Sequence, residues 1–369
     1  MARKLQSDRM MFLATLALIC ISVVMVYSAS ALVALERFKQ PYLFITKQVM
    51  WVALGVALLS VIMRVDYRTY RNERLVWALL GIVGAMLVAV LFSGKVNGTR
   101  RWFGIGGFGI QPSELAKLAA VFFTAMILER RWERINDVRY ALAPIALIIG
   151  GLVGLILQEP DFGTAVSLLA VIGVMVFAAG LSYKYMVGAV LLMVPVLSVV
   201  LFQEAYRVKR LLIFLDPWSD PLGGGFQIIQ SLIAVGTGGV FGKGLMNGVQ
   251  KLFYLPEPHT DFIYAVIAEE TGMIGAIVVL GCFAVIAWRG LRTSMRAPDG
   301  FGTFLAIGLT MMVVIQAFVN ISVVLGLAPT KGIPLPLVSA GGSSLLINLV
   351  AVGVLLNISQ HSTTETGAA

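Results

Sequence analysis

Leu255-Pro256-Glu257-Pro258-His259-Thr260-Asp261-Phe262 runs straight into an apolar stretch, Phe262–Trp288, that is long enough to cross a bilayer. The two prolines keep the approach extended and bar helix before Thr260. A carboxylate, Asp261, is thereby placed by stiff backbone where a polar loop meets a membrane segment. Eight residues further on, about 12 Å along a helix, Glu269 falls deep in the segment on roughly the same side. Glu270 points elsewhere, toward another helix or a partner protein.

Working outward, apolar runs near ~20 residues recur through the chain. Their limits are Met10–Leu35, Tyr42–Met63, Leu75–Phe92, Pro112–Leu128, Tyr140–Leu157, Phe162–Gly180, Tyr185–Phe202, Phe262–Trp288, Phe304–Leu327 and Pro336–Ile358. The 369 residues are 59% hydrophobic and 13% charged, with a mean hydropathy of +0.90. A soluble domain carries about twice that charge. Lipid cannot satisfy open backbone groups, and the alternation of a membrane barrel is absent, so the spans are helices. The expected fold is an all-α polytopic membrane protein of about ten transmembrane helices, one transmembrane domain over 1–369.

The net charge of +9 does not indicate nucleic acid, because the basic residues sit in short loops between apolar runs. Arg3, Lys4 and Arg9 precede the first span. Arg64, Arg68, Arg71 and Arg74 fill the second connection, Arg130, Arg131, Arg134 and Arg139 the fourth, and Arg289, Arg292 and Arg296 the eighth. These connections and both termini belong in the cytoplasm, with a short tail at 360–369. The N-terminus has the outline of a signal peptide, but its apolar run is long and many spans follow, so it reads as an uncleaved first span. Cys20 and Cys282 lie inside apolar runs and imply neither a disulfide framework nor a metal site.

The opposite loops face outward. The largest, about 203–261, is too long to be a plain connection. Its apolar run Phe226–Val235 is too short to span and reads as an interfacial or re-entrant helix.

Polar residues gather on this outward side. Glu114 and Lys117, three apart on one helix face, either neutralise each other at a helix start or line a polar cavity. Glu159-Pro160-Asp161 is either a tight acidic turn or a holder of a cation or a substrate hydroxyl. Arg207, Lys209 and Arg210 form either a solvated face or a site for an anionic headgroup such as a diphosphate. Gly223–Gly225 and Gly236–Gly239 could lend amides to phosphate but match no nucleotide motif. Asp261 is the strongest single candidate, in the company of Glu257, His259 and Thr260. One histidine here, with His361 far off in the tail, makes no zinc site. The last outward loop, Pro329–Pro336 with Lys331, leads into Ser339-Ala340-Gly341-Gly342-Ser343-Ser344, an irregular helix start.

Four of these pieces, Gln111–Lys117, Glu159–Thr164, Leu255–Gly272 and Lys331–Ser344, resemble in order and spacing the SEDS family (shape, elongation, division and sporulation), typified by FtsW and RodA. The resemblance covers nearly the whole chain. Thr330-Lys331-Gly332 leans toward FtsW, and Ala340 stands where the family commonly has an aromatic, usually tyrosine. The resemblance implies a multi-pass protein of the bacterial cytoplasmic membrane that polymerises lipid II into β-1,4 glycan strands on the outer face. Its implied partners are a class B penicillin-binding protein, lipid II, the growing glycan strand and membrane lipids. The family's essential loop acid maps onto Asp261 and its cavity residues onto Glu114, Lys117 and Asp161.

For that chemistry Asp261 is the expected base. Arg100, Arg101, Lys117, Arg207, Lys209, Arg210 or Lys331, or a divalent cation such as Mg²⁺ or Mn²⁺, would meet the departing diphosphate. Glu159, Glu257, His259, Thr260 and Ser343 are the further substrate-binding or cavity candidates. A lipid II flippase and a non-catalytic scaffold for the penicillin-binding protein are the alternatives. A flippase needs a polar path to both faces, whereas the polar groups here concentrate on one.

Overall fold

The computed structural model describes residues 7–94, 100–105, 108–203, 205–252 and 254–362. Each of the ten expected spans is a helix. The first, α1 (Arg9–Phe38), begins where the Asp8 carboxylate accepts the N–H of Met11 at 3.0 Å, a side-chain cap on an otherwise orphaned amide. It is followed by α2 (Leu43–Ile62), α3 (Glu73–Leu91), α4 (Pro112–Arg131), α5 (Ala143–Gln158), α6 (Phe162–Ala178) and α7 (Tyr183–Phe202). The large outer loop carries α8 (Ala205–Leu215) and α9 (Phe226–Gly238). The chain ends with α10 (Ile263–Met295), α11 (Gly300–Val324) and α12 (Gly342–Ser362).

Among the described residues, seven helices are long and apolar enough to cross a membrane on their own: α1, α2, α3, α5 with its π-wound lead-in from Val138, α10, α11 and α12. Of the remaining three expected spans, α6 is only 17 residues long, and α7, 20 residues with Pro195 inside, is apolar in composition. α4 carries Glu114, Lys117, Glu129, Arg130 and Arg131. That composition suits its place: α4 is packed among α3, α5, α6, α11 and α12 and is buried along most of its length, so its inner charges meet protein rather than lipid.

Two features were not expected. A two-stranded antiparallel hairpin, β1 (Phe103–Ile105) paired with β2 (Phe108–Ile110), precedes α4, so the fold is all-α only in its membrane part. Gly109 admits the Trp102 ring there, since a Cβ would lie 3.1 Å from it. The outer loop holds two helices, not one. The stretch with Lys209 and Arg210 is helical as α8, burying Ile213 while the basic side chains stay exposed, the arrangement of an amphipathic surface helix.

The expected sidedness is visible as two polar ends. At one, Asp8 pairs with Arg289 at 2.5 Å and its N–H donates to Ser359 at 3.0 Å. Arg68 meets Asp299 at 3.3 Å and Arg130 meets Glu73 at 2.8 Å. These contacts join the N-terminus, the second, fourth and eighth connections and the end of α12, the segments assigned to the cytoplasm. The outward loops converge at the other end.

Candidate active site

Three consecutive backbone carbonyls fix the approach to α10. His259 O accepts from the N–H of Ala340 at 2.9 Å. Thr260 O accepts from the Ser339 hydroxyl. Asp261 O accepts from Asn320 Nδ2 at 2.8 Å, and the same amide donates to Ile333 O at 2.7 Å. The turn is thus fastened to α11 and to the segment before α12. Its side chain is left over: the N-cap of α10 is Phe262, with no side-chain cap, and among the described residues no hydrogen bond reaches the Asp261 carboxylate. It is half-buried against Gly332, where a Cβ would lie 3.1 Å from Oδ2. Burial above all, and then the Glu257 carboxylate, push its pKa up to about 7, against the pull of Arg210 and Arg101. An ordinary aspartate, with a pKa of about 3.9, is a poor base at neutral pH; the raised value suits the role better.

Below Asp261 the polar line continues into the bundle. Asn320 and Gln316 are one turn apart on α11. Gln316 accepts from Lys117 Nζ at 2.6 Å and donates to Pro334 O at 3.0 Å. Lys117 also meets Glu114 at 2.8 Å, both fully enclosed. The pair therefore neutralises itself and, through Gln316 and Asn320, braces the backbone around Asp261. Alongside, Asp161 caps α6, accepting from Thr164 N at 3.1 Å and Thr164 Oγ1 at 2.9 Å, and also from Gln111 Nε2 at 3.1 Å. The N–H of Gln111 donates to Ser343 Oγ at 3.3 Å, so Ser343 helps seat the start of α4.

Glu159 is fully buried, and neither carboxylate oxygen has a hydrogen-bond partner among the described residues. Burial, reinforced by the charge of Asp161, pushes its pKa up to about 8. Arg101 does not pair with that carboxylate; it donates to the carbonyls of Glu159, at 2.8 Å, and of Pro160. Lys331 lies over the Phe162 ring, with Nζ 4.8 Å from its centre. Burial lowers its pKa and the nearby Asp161 opposes the fall.

The other candidates are more peripheral. Arg100 is turned away and donates to Leu91 O at 2.9 Å, capping the end of α3. The side chain of Arg207 lies outside the described residues. Arg210 is exposed and reaches Thr330 O at 3.5 Å, while Lys209 pairs with Asp220 at 3.3 Å. Glu257 is exposed, 4.0 Å from His259 Nε2. His259 is buried against the Phe44 ring at 4.6 Å, and burial lowers its pKa against the pull of the Glu257 carboxylate. Thr260 contributes mainly its carbonyl. Among the described residues no three Asp, Glu, His or Cys side chains come together as a metal site. A divalent cation here would share its coordination with substrate phosphate.

Sequence reasoning missed Gln316 and Asn320, and read Ser339 only as part of an irregular helix start. Two amides four residues apart in an apolar run, on one face of a helix, were the available signal for the first two.

Fold and site together define a polytopic membrane protein with a tethered carboxylate at its outer face that no hydrogen bond reaches among the described residues. The chain belongs to the FtsW/RodA/SpoVE family, described as "Cell cycle protein", which it matches over residues 8–364. It is 43% identical over 357 residues to "Probable peptidoglycan glycosyltransferase FtsW" of Geobacter sp. (strain M18), covering 95% of this chain and 96% of that one. It is also 43% identical over 365 residues to stage V sporulation protein E of Bacillus subtilis, covering 98% and 99%. Among solved structures, it superposes on a chain of a peptidoglycan synthase complex that coordinates polymerization and crosslinking, with a TM-score of 0.80, 30% identity and 97% and 99% coverage. On Thermus thermophilus RodA the TM-score is 0.72, with 27% identity and 98% and 99% coverage.

Proposed function

We propose that this chain is an inverting peptidoglycan glycosyltransferase of the bacterial inner membrane, polymerising lipid II with Asp261 as the base. The observation that carries the assignment of the base is the Asp261 carboxylate itself. Its backbone is fastened at three consecutive carbonyls, no hydrogen bond occupies it among the described residues, and its pKa, pushed up to about 7, suits proton transfer near neutrality.

In the transfer, the acceptor sugar hydroxyl gives its proton to Asp261 as its oxygen bonds to the anomeric carbon of the donor. The bond from that carbon to the lipid diphosphate breaks, and its electron pair leaves on the diphosphate oxygen. Arg101 and Arg210, close enough to act on the charge of Asp261, and Lys331, beside Asp161, are the cations placed to meet the developing charge. Glu114 and Lys117 act from below, holding Gln316.

The synthase-complex likeness supports work beside a crosslinking enzyme. The partner is a class B penicillin-binding protein with transpeptidase activity. The test is lipid II polymerisation by the purified chain with that partner, with and without chelator. Asp261→Ala is expected to abolish polymerisation while partner capture and thermal stability persist. Undiminished polymerisation by Asp261→Ala removes the base assignment. Headgroup translocation without polymerisation by the unaltered chain replaces the enzyme with a flippase.

A further inference from the structure

Two adjacent carboxylates, Glu269 and Glu270, are fully buried in α10 and lie outside the site described above. They immediately precede a break in the helix. Gly272 has φ 69° and ψ −165°, a conformation open to glycine and strained for other residues. Such a break frees carbonyls on one side and amides on the other, and the loop after α9 satisfies them. The N–H groups of Lys243 and Gly244 donate to Glu269 O and Glu270 O, each at 3.0 Å. The N–H groups of Met273 and Ile274 donate to Gly239 O and Val240 O at 2.9 and 3.3 Å. The approach leaves no room for side chains: a Cβ on Gly242 would lie 2.2 Å from Glu270 O.

The side chains extend the same clamp along the loop. Glu269 accepts from Lys243 Nζ at 2.7 Å, Val249 N at 2.9 Å and Gln250 N at 3.1 Å. Glu270 accepts from Lys251 Nζ at 2.5 Å, Met246 N at 3.0 Å and the Ser28 hydroxyl of α1 at 2.7 Å. Lys251 also donates to Ser28 at 2.8 Å. The connection to the site is short. Gln250, held by Glu269, accepts through its carbonyl from the N–H of Leu255 at 2.8 Å. Leu255 opens the proline-stiffened run that ends at Asp261.

Stability alone is a weak reason for such pairs, because well-packed apolar residues often serve as well as a buried ion pair. What the two carboxylates do uniquely is collect backbone amides and lysines from one loop. We propose that Glu269 and Glu270 are positioning residues for glycosyl transfer, clamping residues 243–251 into the break of α10 and so setting where Asp261 stands. The inference rests on Asp261 being the base.

The experiment uses the full chain with its penicillin-binding partner and lipid II. Glu270→Gln, Lys251→Met, their double variant and Lys251→Arg are compared, with Asp261→Ala alongside. Hydrogen exchange of residues 252–261 is followed in parallel. Glu270→Gln and Lys251→Met are expected to lower kcat by about tenfold to a hundredfold, the cost of a small misplacement, with KM nearly unchanged. Exchange at 252–261 quickens, the double variant is no worse than the weaker single one, and Lys251→Arg recovers most of the rate. Lys243→Met, at the partly exposed pair, gives a milder version should the buried variants not fold. Loss of kcat without faster exchange at 252–261, or faster exchange with full kcat, overturns the inference. Full activity of the clamp variants beside an inactive Asp261→Ala removes the inference and leaves the base in place. Full activity of Asp261→Ala removes the base reading and the inference with it.

Discussion

At the cytoplasmic end, Asp8 meets Arg289, Asp299 takes both the Tyr67 hydroxyl and Arg68, and Glu73 takes Arg130. At the outer end, Asp261 has no hydrogen bond on its carboxylate, both oxygens of Glu159 lack partners among the described residues, and Arg101 spends its donors on main-chain carbonyls. The acids named at the inner end are all closed in pairs, whereas the outer half mixes closed pairs, Glu114–Lys117, Lys209–Asp220, Lys243–Glu269 and Lys251–Glu270, with two acids, Asp261 and Glu159, that are left open. An enclosed carboxylate without a partner is costly, and the outer end has cations at hand that could have closed it. The difference teaches where stability and where reactivity are kept: the inner face ties connections together, and the outer face keeps two acids, Asp261 and Glu159, without a partner among the described residues.

The largest test of that contrast is the pH dependence of polymerisation. A base must be ionised to accept a proton, and Asp261 is neutral below about 7. The rate is expected to fall about tenfold per pH unit below that point, and Asp261→Asn to be slower by a factor on the order of 10²–10⁴ with the acid limb gone. An unchanged acid limb in Asp261→Asn would assign the titration to another group. Next in size is the enclosed Glu114–Lys117 pair below the site. Lys117→Met leaves Glu114 buried without its cation and is expected to cost about 3–5 kcal/mol, measured as thermal or denaturant unfolding in detergent. The Glu114→Gln and Lys117→Met double variant should recover much of this. A double variant as unstable as the single one would mean that the contact to Gln316, rather than the charge, carries the effect.

How much of this was legible beforehand depends on whether the signal was local. The ten helices follow from hydropathy, and their sidedness from arginines that the structure gathers at one end. Asp261 stood out because two prolines and a polar run are local features. Arg100 and Arg101 were indistinguishable as neighbours, yet one caps α3 and the other reaches the turn after α5; only tertiary placement separates them. The break at Gly272 was hidden because a glycine in an apolar run equally suits helix packing. The groups that fill the break come from a loop some thirty residues earlier. Helix α8 was missed because its basic residues read as a loop, and the hairpin because three-residue strands have too little period to see.

A smaller and pH-selective effect belongs to Glu159. Its pKa of about 8 is raised above the ordinary value of about 4.3 in an unfolded chain, so the folded state binds its proton more tightly. Its contribution is therefore favourable at low pH and is lost as pH rises from about 4 through about 8. Glu159→Gln should match the unaltered chain near pH 4–5 and exceed its stability near pH 9, by an amount on the order of a few kcal/mol. Lower stability of the variant at pH 9 would show that Glu159 is charged and paired after all.

The smallest effect is expected at the inner face, where contacts are redundant. Arg68 is half exposed and 3.3 Å from Asp299, a geometry worth about 0–1 kcal/mol in water. Arg68→Ala leaves Asp299 with the Tyr67 hydroxyl at 2.5 Å and with the N–H of Gly302 at 2.7 Å, where it caps α11. The carboxylate is not orphaned, so the loss should stay within about 1 kcal/mol. The pH profile of polymerisation should not move, because the altered group lies across the membrane from Asp261. A shift of the acid limb in Arg68→Ala would mean that the two ends are coupled through the helices that join them, and the division of labour between the faces would have to be given up.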